Sequence, residues 1–337
     1  MQQHVALVLF GFWLNTTAQA CPACFDRGQA RQTILDRVLS SQQAVIAVPM
    51  PGKMNQYQVS EVLKGMPALK GEFIRTEAFG KPLNRLIFPT SSLLTYHATS
   101  QRWLKQAVLT LSQHRFLKRA LKAPSTESLS THTQRLAFFY PYLDHLDPII
   151  AEAATQEWAR APYTILRASS KLLDRQGVRK QLEAEKFTNK QIKAAPHPLY
   201  YILLGLCGTD EDKAFLSNSL GSPEALAAKL TAHLEMQGVP ALDWVITHYL
   251  KNSERTPDEI NAAVDAIGIH GTANAAIPRL KAQQALHLLF KLRPEHVAQA
   301  APYFEQWQDW SVESDYRKLK SDDPKIQAYL SASLKPG

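Results

Sequence analysis

The sequence predicts an α+β, multidomain protein: a small β-barrel-like module followed by an all-α helical-repeat solenoid. Three observations carry this prediction. Between Ala44 and Ser112, five short runs rich in β-branched or aromatic residues follow one another, separated by Pro, Gly, Asn or Lys. From residue 129 onward, apolar residues recur at helical spacing. Finally, Asp147-Pro148, Ser222-Pro223, Thr256-Pro257 and Arg293-Pro294 each set proline at a predicted first helical position. Those prolines lie 75, 34 and 37 residues apart, close to two, one and one units of a helix-hairpin repeat.

The chain opens with an apolar run, VALVLFGFWL (5–14), of signal-peptide length and too short to span a bilayer comfortably. Ala18 and Ala20 supply a small-x-small processing pattern, so residues 1–20 read as a signal peptide and Cys21 as the first mature residue. The segment MQQH before the run carries no Lys or Arg. A lipid-attachment site would also place Cys first, but it usually has Leu where this chain has Ala18. Lipid anchoring at Cys21 is therefore the secondary expectation. No later run approaches the length of a membrane helix, so the processed chain is expected to be periplasmic or secreted and not an integral membrane protein.

Charge divides the chain. Residues 21–126 hold 15 Lys and Arg against 5 Asp and Glu, whereas residues 127–337 hold 23 against 25. Such asymmetry marks separate modules, and a basic module points to an anionic partner. In an exported protein that partner is an anionic surface or glycan, not nucleic acid; the alternative is a basic surface that only aids solubility.

Element by element, DRGQARQTILDRVLSS (26–41) places Ile34, Leu35, Val38 and Leu39 on one face of a short helix. Strands are then predicted at 44–50, 57–63, 72–77, 92–98 and 107–112, forming a small barrel or curled sheet. In HRFLKRALKAPSTESLSTH (114–132), Arg115, Lys118, Arg119 and Lys122 recur at helical spacing opposite Phe116, Leu117 and Leu121. That stripe is either an anionic-surface site or the solvated face of a packed helix. The polar APSTESLST that follows is a linker composition, which separates a basic module, 21–126, from a helical domain, 129–337. In the latter, Ile150, Ala154 and Trp158 form one stripe, and Pro162 opens a second helix carrying Ile165, Leu166, Leu172 and Leu173.

Two resemblances follow from these residues. DPIIAEAATQEWARAPY (147–163), with its Asp-Pro start and alanine-rich first helix, resembles a HEAT-type repeat, loosely over residues 129–310. It implies a curved solenoid whose surface binds other proteins. An N-terminal Cys, a strand ending in Val62-Leu63-Lys64-Gly65 and a later Leu93-Leu94 strand resemble the small β-barrel modules of netrin and metalloproteinase-inhibitor type over residues 21–112. This chain has Cys21-Pro-Ala-Cys24 where that family opens Cys-x-Cys, so no inhibitory residue is carried over.

The chemistry in the sequence is sparse. Cys21 and Cys24 precede a helix, a setting that lowers a thiol's pKa and suits redox exchange or a soft metal; in an oxidising compartment they read first as a structural disulfide, to each other or to Cys207. Cys207 otherwise reads as a buried free thiol at an apolar helix end. Asp144-His145-Leu146-Asp147 and Thr209-Asp210-Glu211-Asp212 read as helix caps in preference to metal ligands. H-E-x-x-H, G-x-S-x-G and phosphate-loop motifs are missing. No catalytic residue, metal site or cofactor is assigned. The expectation is an exported, non-enzymatic binding or scaffold protein that engages another envelope or secreted protein, with a thiol-redox or metal-handling accessory using Cys21 and Cys24 as the alternative.

Overall fold

A computed structural model describes residues 21–24, 32–77, 91–184 and 197–334. The signal-peptide expectation for residues 1–20 lies outside them.

Helix α1 (Ile34–Ser40) starts at a capping box in which Thr33 Oγ1 accepts the Asp36 amide and Asp36 Oδ2 accepts the Thr33 amide. Ile34, Leu35 and Val38 are buried, but Leu39 is exposed, because it sits about 100° around the helix from Val38. Five strands follow: β1 (Gln43–Pro49), β2 (Gln56–Lys64), β3 (Phe73–Arg75), β4 (Ser91–His97) and β5 (Arg102–Leu109). They form one antiparallel sheet in the order β3-β2-β1-β4-β5. Register shifts at Ala44/Val45 and Ile46/Ala47, and again at Leu93/Leu94, increase the local twist. Among the described residues β3 and β5 remain edges, so the sheet is a curled half-barrel and not a closed barrel.

Central strand β1 is buried on both faces. Ala44 and Ile46 pack with Leu93, Leu109 and the helices, while Val45 and Ala47 join Tyr57, Val59, Ile74 and Leu94 in a smaller cluster on the opposite side. The fifth strand lies earlier than the apolar run AVLTLS (107–112) indicates. Thr110 Oγ1 accepts the Gln113 amide and Gln113 returns the bond to the Thr110 amide. This second capping box ends the strand and starts α2 (Leu111–Ala120) inside the run.

The remainder is helical: α3 (Leu129–Phe139), α4 (Pro148–Ala159), α5 (Tyr163–Ala168), α6 (Arg175–Ala184), α7 (Pro198–Cys207), α8 (Asp210–Ser219), α9 (Leu226–Gln237), α10 (Val239–Val245), α11 (Pro257–Ala273), α12 (Arg279–His287), α13 (Leu289–Leu292), α14 (Val297–Trp307), α15 (Glu313–Leu319) and α16 (Pro324–Ser333). Helices α7, α9, α11, α14 and α16 pack in single file, each against the next in chain order, while α8 and α10 lie on α9, α12 on α11 and α15 on α16.

Only two of the four proline starts hold in full. Asp147 caps α4 and Thr256 caps α11, each with proline at the first turn. At Arg293-Pro294 a 3₁₀ turn comes first and α14 begins at Val297. At Ser222-Pro223 the helix waits until Leu226, after Ala225 in the left-handed region at φ 53°. Ser222 instead accepts the buried Lys229 ammonium on both its hydroxyl, at 2.7 Å, and its carbonyl, at 3.2 Å. Asp323-Pro324 and His197-Pro198 carry the same start signal and do cap helices.

One hydrophobic cluster runs from the inner face of the sheet through Phe116, Leu117 and Phe139 to Trp158, Leu204 and Ala232. Phe116 meets both Phe139 and Tyr142 edge-on, which seals sheet-borne α2 against the first helices beyond the linker. Across the same boundary Arg160 grips Asp36 with two parallel bonds of 2.6 and 2.7 Å.

Candidate thiol site between the helices

Cys21 to Cys24 form a single 3₁₀ turn, the Cys24 amide donating to the Cys21 carbonyl at 3.0 Å. Pro22 suits this turn because its ring presets φ. The turn is inserted against α7, α9 and α11, so the start of the described chain is seated in the middle of the helical file. Small residues make room for close helix packing there. A Cβ on Gly205 would lie 2.6 Å from the Ala232 backbone, so glycine is what lets α7 and α9 approach. A Cβ on Gly268 would lie 2.5 Å from the Tyr303 ring, so its absence lets that ring lie flat on α11.

Both thiols are buried, Cys21 at 1% and Cys24 at 0% exposure, and they are unbonded, as is Cys207. Burial pushes the Cys24 thiol well up, and its hydrogen bond with Cys21 and the proximity of that thiol's charge push it further. The low-pKa thiolate expected from a position ahead of a helix is thus not what Cys24 provides. Beside Cys21 is a cavity of about 130 Å³ bounded by Tyr163, Ile269, Thr272, Tyr303 and Gln306.

The polar groups behind this cavity are held by carboxylates. The Tyr163 hydroxyl donates to Glu235 Oε2 at 2.7 Å, and Arg167 Nε donates to Glu235 Oε1 at 2.9 Å. His270, fully buried, lies edge-on to the Tyr163 ring, and its Nε2 donates to the Thr231 carbonyl at 2.9 Å. Its Nδ1 stands 3.7 Å from Glu235 Oε2 with no hydrogen-bond partner. Burial holds the imidazole below its ordinary pKa, and the neutral ring leaves Nδ1 as an unmatched acceptor. On the other wall Tyr303 donates to Asp265 Oδ1 at 2.9 Å, where Gln299 also donates. Burial raises both tyrosines, with their carboxylate partners adding to it, and burial raises Asp265 despite those two bonds.

Tyr163, Glu235, His270 and Tyr303 were not among the residues singled out from sequence. They come from α5, α9, α11 and α14, and no local motif joins them. A faint signal existed in IGIHGTA, a lone His inside an apolar helical run.

The basic stripe is where the periodicity puts it. Arg115, Lys118, Arg119 and Lys122 are exposed, while Phe116 and Leu117 face the core and Leu121 is half-buried. Two of the four are engaged: Lys118 pairs with Glu61 at 2.7 Å and the Arg119 guanidinium lies over the Tyr142 ring. Glu61 also meets His114 Nε2 at 2.9 Å. Thr209 and Asp212 form a capping box at the start of α8, and Asp147 caps α4.

The arrangement defines an α+β protein with a thiol pair seated inside a helical file. Its geometry offers a buried pair of sulfur donors, one of them at a small cavity, and two carboxylate-anchored tyrosines on the cavity wall with a neutral histidine behind one of them. Neither a family model, nor a curated protein, nor a solved structure matches this chain.

Proposed function

We propose that this chain is an exported, non-enzymatic binding or scaffold protein, periplasmic or secreted, that uses its helical part as a HEAT-like repeat surface for another protein of the envelope or secreted space. The observation that supports this reading is the file α7-α9-α11-α14-α16. Each member buries an apolar stripe against its neighbours, and satellites α8, α10, α12 and α15 rest on it. Stacked helix pairs of this kind build long surfaces from local contacts, and such surfaces serve protein recognition. Among the described residues no helix is long and apolar enough to cross a membrane.

The test is site-specific photo-crosslinking in the native host. A photoreactive residue is placed at exposed helical positions, Leu129, Leu280 and Leu319, and on the sheet module at Phe73 of β3 and Met66 of the β2–β3 connection. A discrete adduct with one exported protein from the helical positions, with none from the sheet, is the expected result. Adducts confined to the sheet, or none from any helical position, overturn the reading.

A further inference from the structure

We propose that Cys21 and Cys24 form a binding site for a soft, two-coordinate monovalent cation, Cu(I), reached through the cavity beside Tyr163 and Tyr303. The inference stands apart from the protein-binding reading and uses different residues.

Both cysteines belong to one 3₁₀ turn closed by the Cys24 amide on the Cys21 carbonyl, so bringing their sulfurs to a single ion requires no rearrangement of distant backbone. Their surroundings are apolar: Ala23 within the turn, Ala232 and Ile269 in the same buried cluster, and Ala273 on the cavity wall. Among the described residues, no third His, Cys, Asp or Glu joins the pair to make a three-donor group. Tetrahedral Zn needs four donors, and the hard ions need oxygen ligands and retained water. Two buried thiolates suit Cu(I), which is satisfied by soft sulfur ligands.

Access decides between an ion and a redox partner. Thiol–disulfide exchange requires a partner thiolate to reach a sulfur directly. Sulfurs at 0 and 1% exposure deny a protein that approach, whereas a cavity of about 130 Å³ ending on Cys21 admits a small ion. Binding follows Cu⁺ + 2 RSH → [Cu(SR)₂]⁻ + 2 H⁺. Two Cu–S bonds form, two S–H bonds break, both protons leave to solvent, and no electron is transferred.

The experiment is an anaerobic titration of the reduced full chain with Cu(I) against a chromogenic Cu(I) chelator, with Ag(I) as a redox-inert surrogate. One ion retained per chain is expected, together with a thiolate-to-copper ultraviolet band and release of up to two protons. Cys21→Ser and Cys24→Ser should each weaken retention by about 100-fold or more, and Cys207→Ser should leave it unchanged. X-ray absorption of the loaded wild-type chain should show two sulfur neighbours, which keeps the inference testable where a serine variant folds poorly. No retention against the chelator overturns it. So does retention that survives the Cys21→Ser/Cys24→Ser double variant or is lost with Cys207→Ser, or a coordination sphere of nitrogen, oxygen or three sulfurs.

Discussion

Asp212, buried, and Glu235, partly buried, are carboxylates that meet arginine, and they are built to different standards. Asp212, at the start of α8, accepts Arg175 Nε at 2.6 Å, an Arg179 guanidinium nitrogen at 2.9 Å and the Thr209 amide at 3.0 Å. The Arg179 guanidinium in turn lies 3.7 Å over the Phe215 ring. Burial alone would raise Asp212, but the Arg175 bond and the Thr209 amide bring it below the ordinary carboxylate value. Glu235, on α9, has Arg167 and the Tyr163 hydroxyl, yet faces an imidazole nitrogen that receives nothing. One site is a closed clasp for the α6–α8 corner. The other tolerates an unmatched atom next to the thiol turn, and an unsatisfied buried nitrogen is maintained only where surrounding packing holds it.

That contrast can be broken at several points. Asp212→Ala should have the largest effect, a loss of about 3 kcal/mol, because it removes a helix cap and leaves two guanidinium groups without their shared partner. Urea unfolding at neutral pH measures it, and a loss under about 1 kcal/mol would show the clasp to be ornamental. Glu235→Gln should cost less, about 1–2 kcal/mol, since the amide oxygen still accepts from Tyr163 while the amide NH2 in place of Oε1 cannot accept from the half-exposed Arg167.

Acidity separates the two sites next. His270 is held below its ordinary value of 6.5, so the unfolded chain binds the proton first and stability falls as pH drops below 6.5. Replacing His270 with Gln should flatten that decline, read from urea midpoints across the range; an unchanged slope refutes the assignment. Asp212 is held below its ordinary value of 3.8, so its contribution is complete above that value and is lost only as pH falls beneath it. The smallest effect belongs to Asp210→Ala. That residue shares the first turn of α8 but sits in a solvent-exposed pair with Lys213, and its removal should leave the melting temperature unchanged within error.

Local chemistry made much of this legible and long-range seating made the rest invisible. Thr256-x-x-Glu259 and Asp147-Pro148 announce their helices because a cap is a contact between near neighbours. Thr110-x-x-Gln113 is the same kind of signal, masked by the strand-like run in which it is embedded. Ser222-Pro223 misleads because Ser222 is engaged by Lys229, in the first turn of the helix. The α+β division and the five-strand sheet could be anticipated, but the curl, open at β3 and β5 among the described residues, depends on bulges that pairing alone reveals. Nothing near Cys21 states that its turn inserts against α7, α9 and α11, or that Tyr163 and Tyr303 border it. Those neighbours come from separate helices, and their meeting depends on how Gly205 and Gly268 let the helices close.

The inserted turn also sets an order of events in time. Growing from its N-terminus, the chain makes Cys21 and Cys24 long before their seat, which is assembled from helices that begin at Pro198 and end at Ala273. Until those segments have emerged and packed, both sulfurs are open to water, oxidants and metal ions, because non-local contacts form only after the intervening chain is ordered. Once the helices have closed, that open approach is narrowed to the cavity bordered by Cys21.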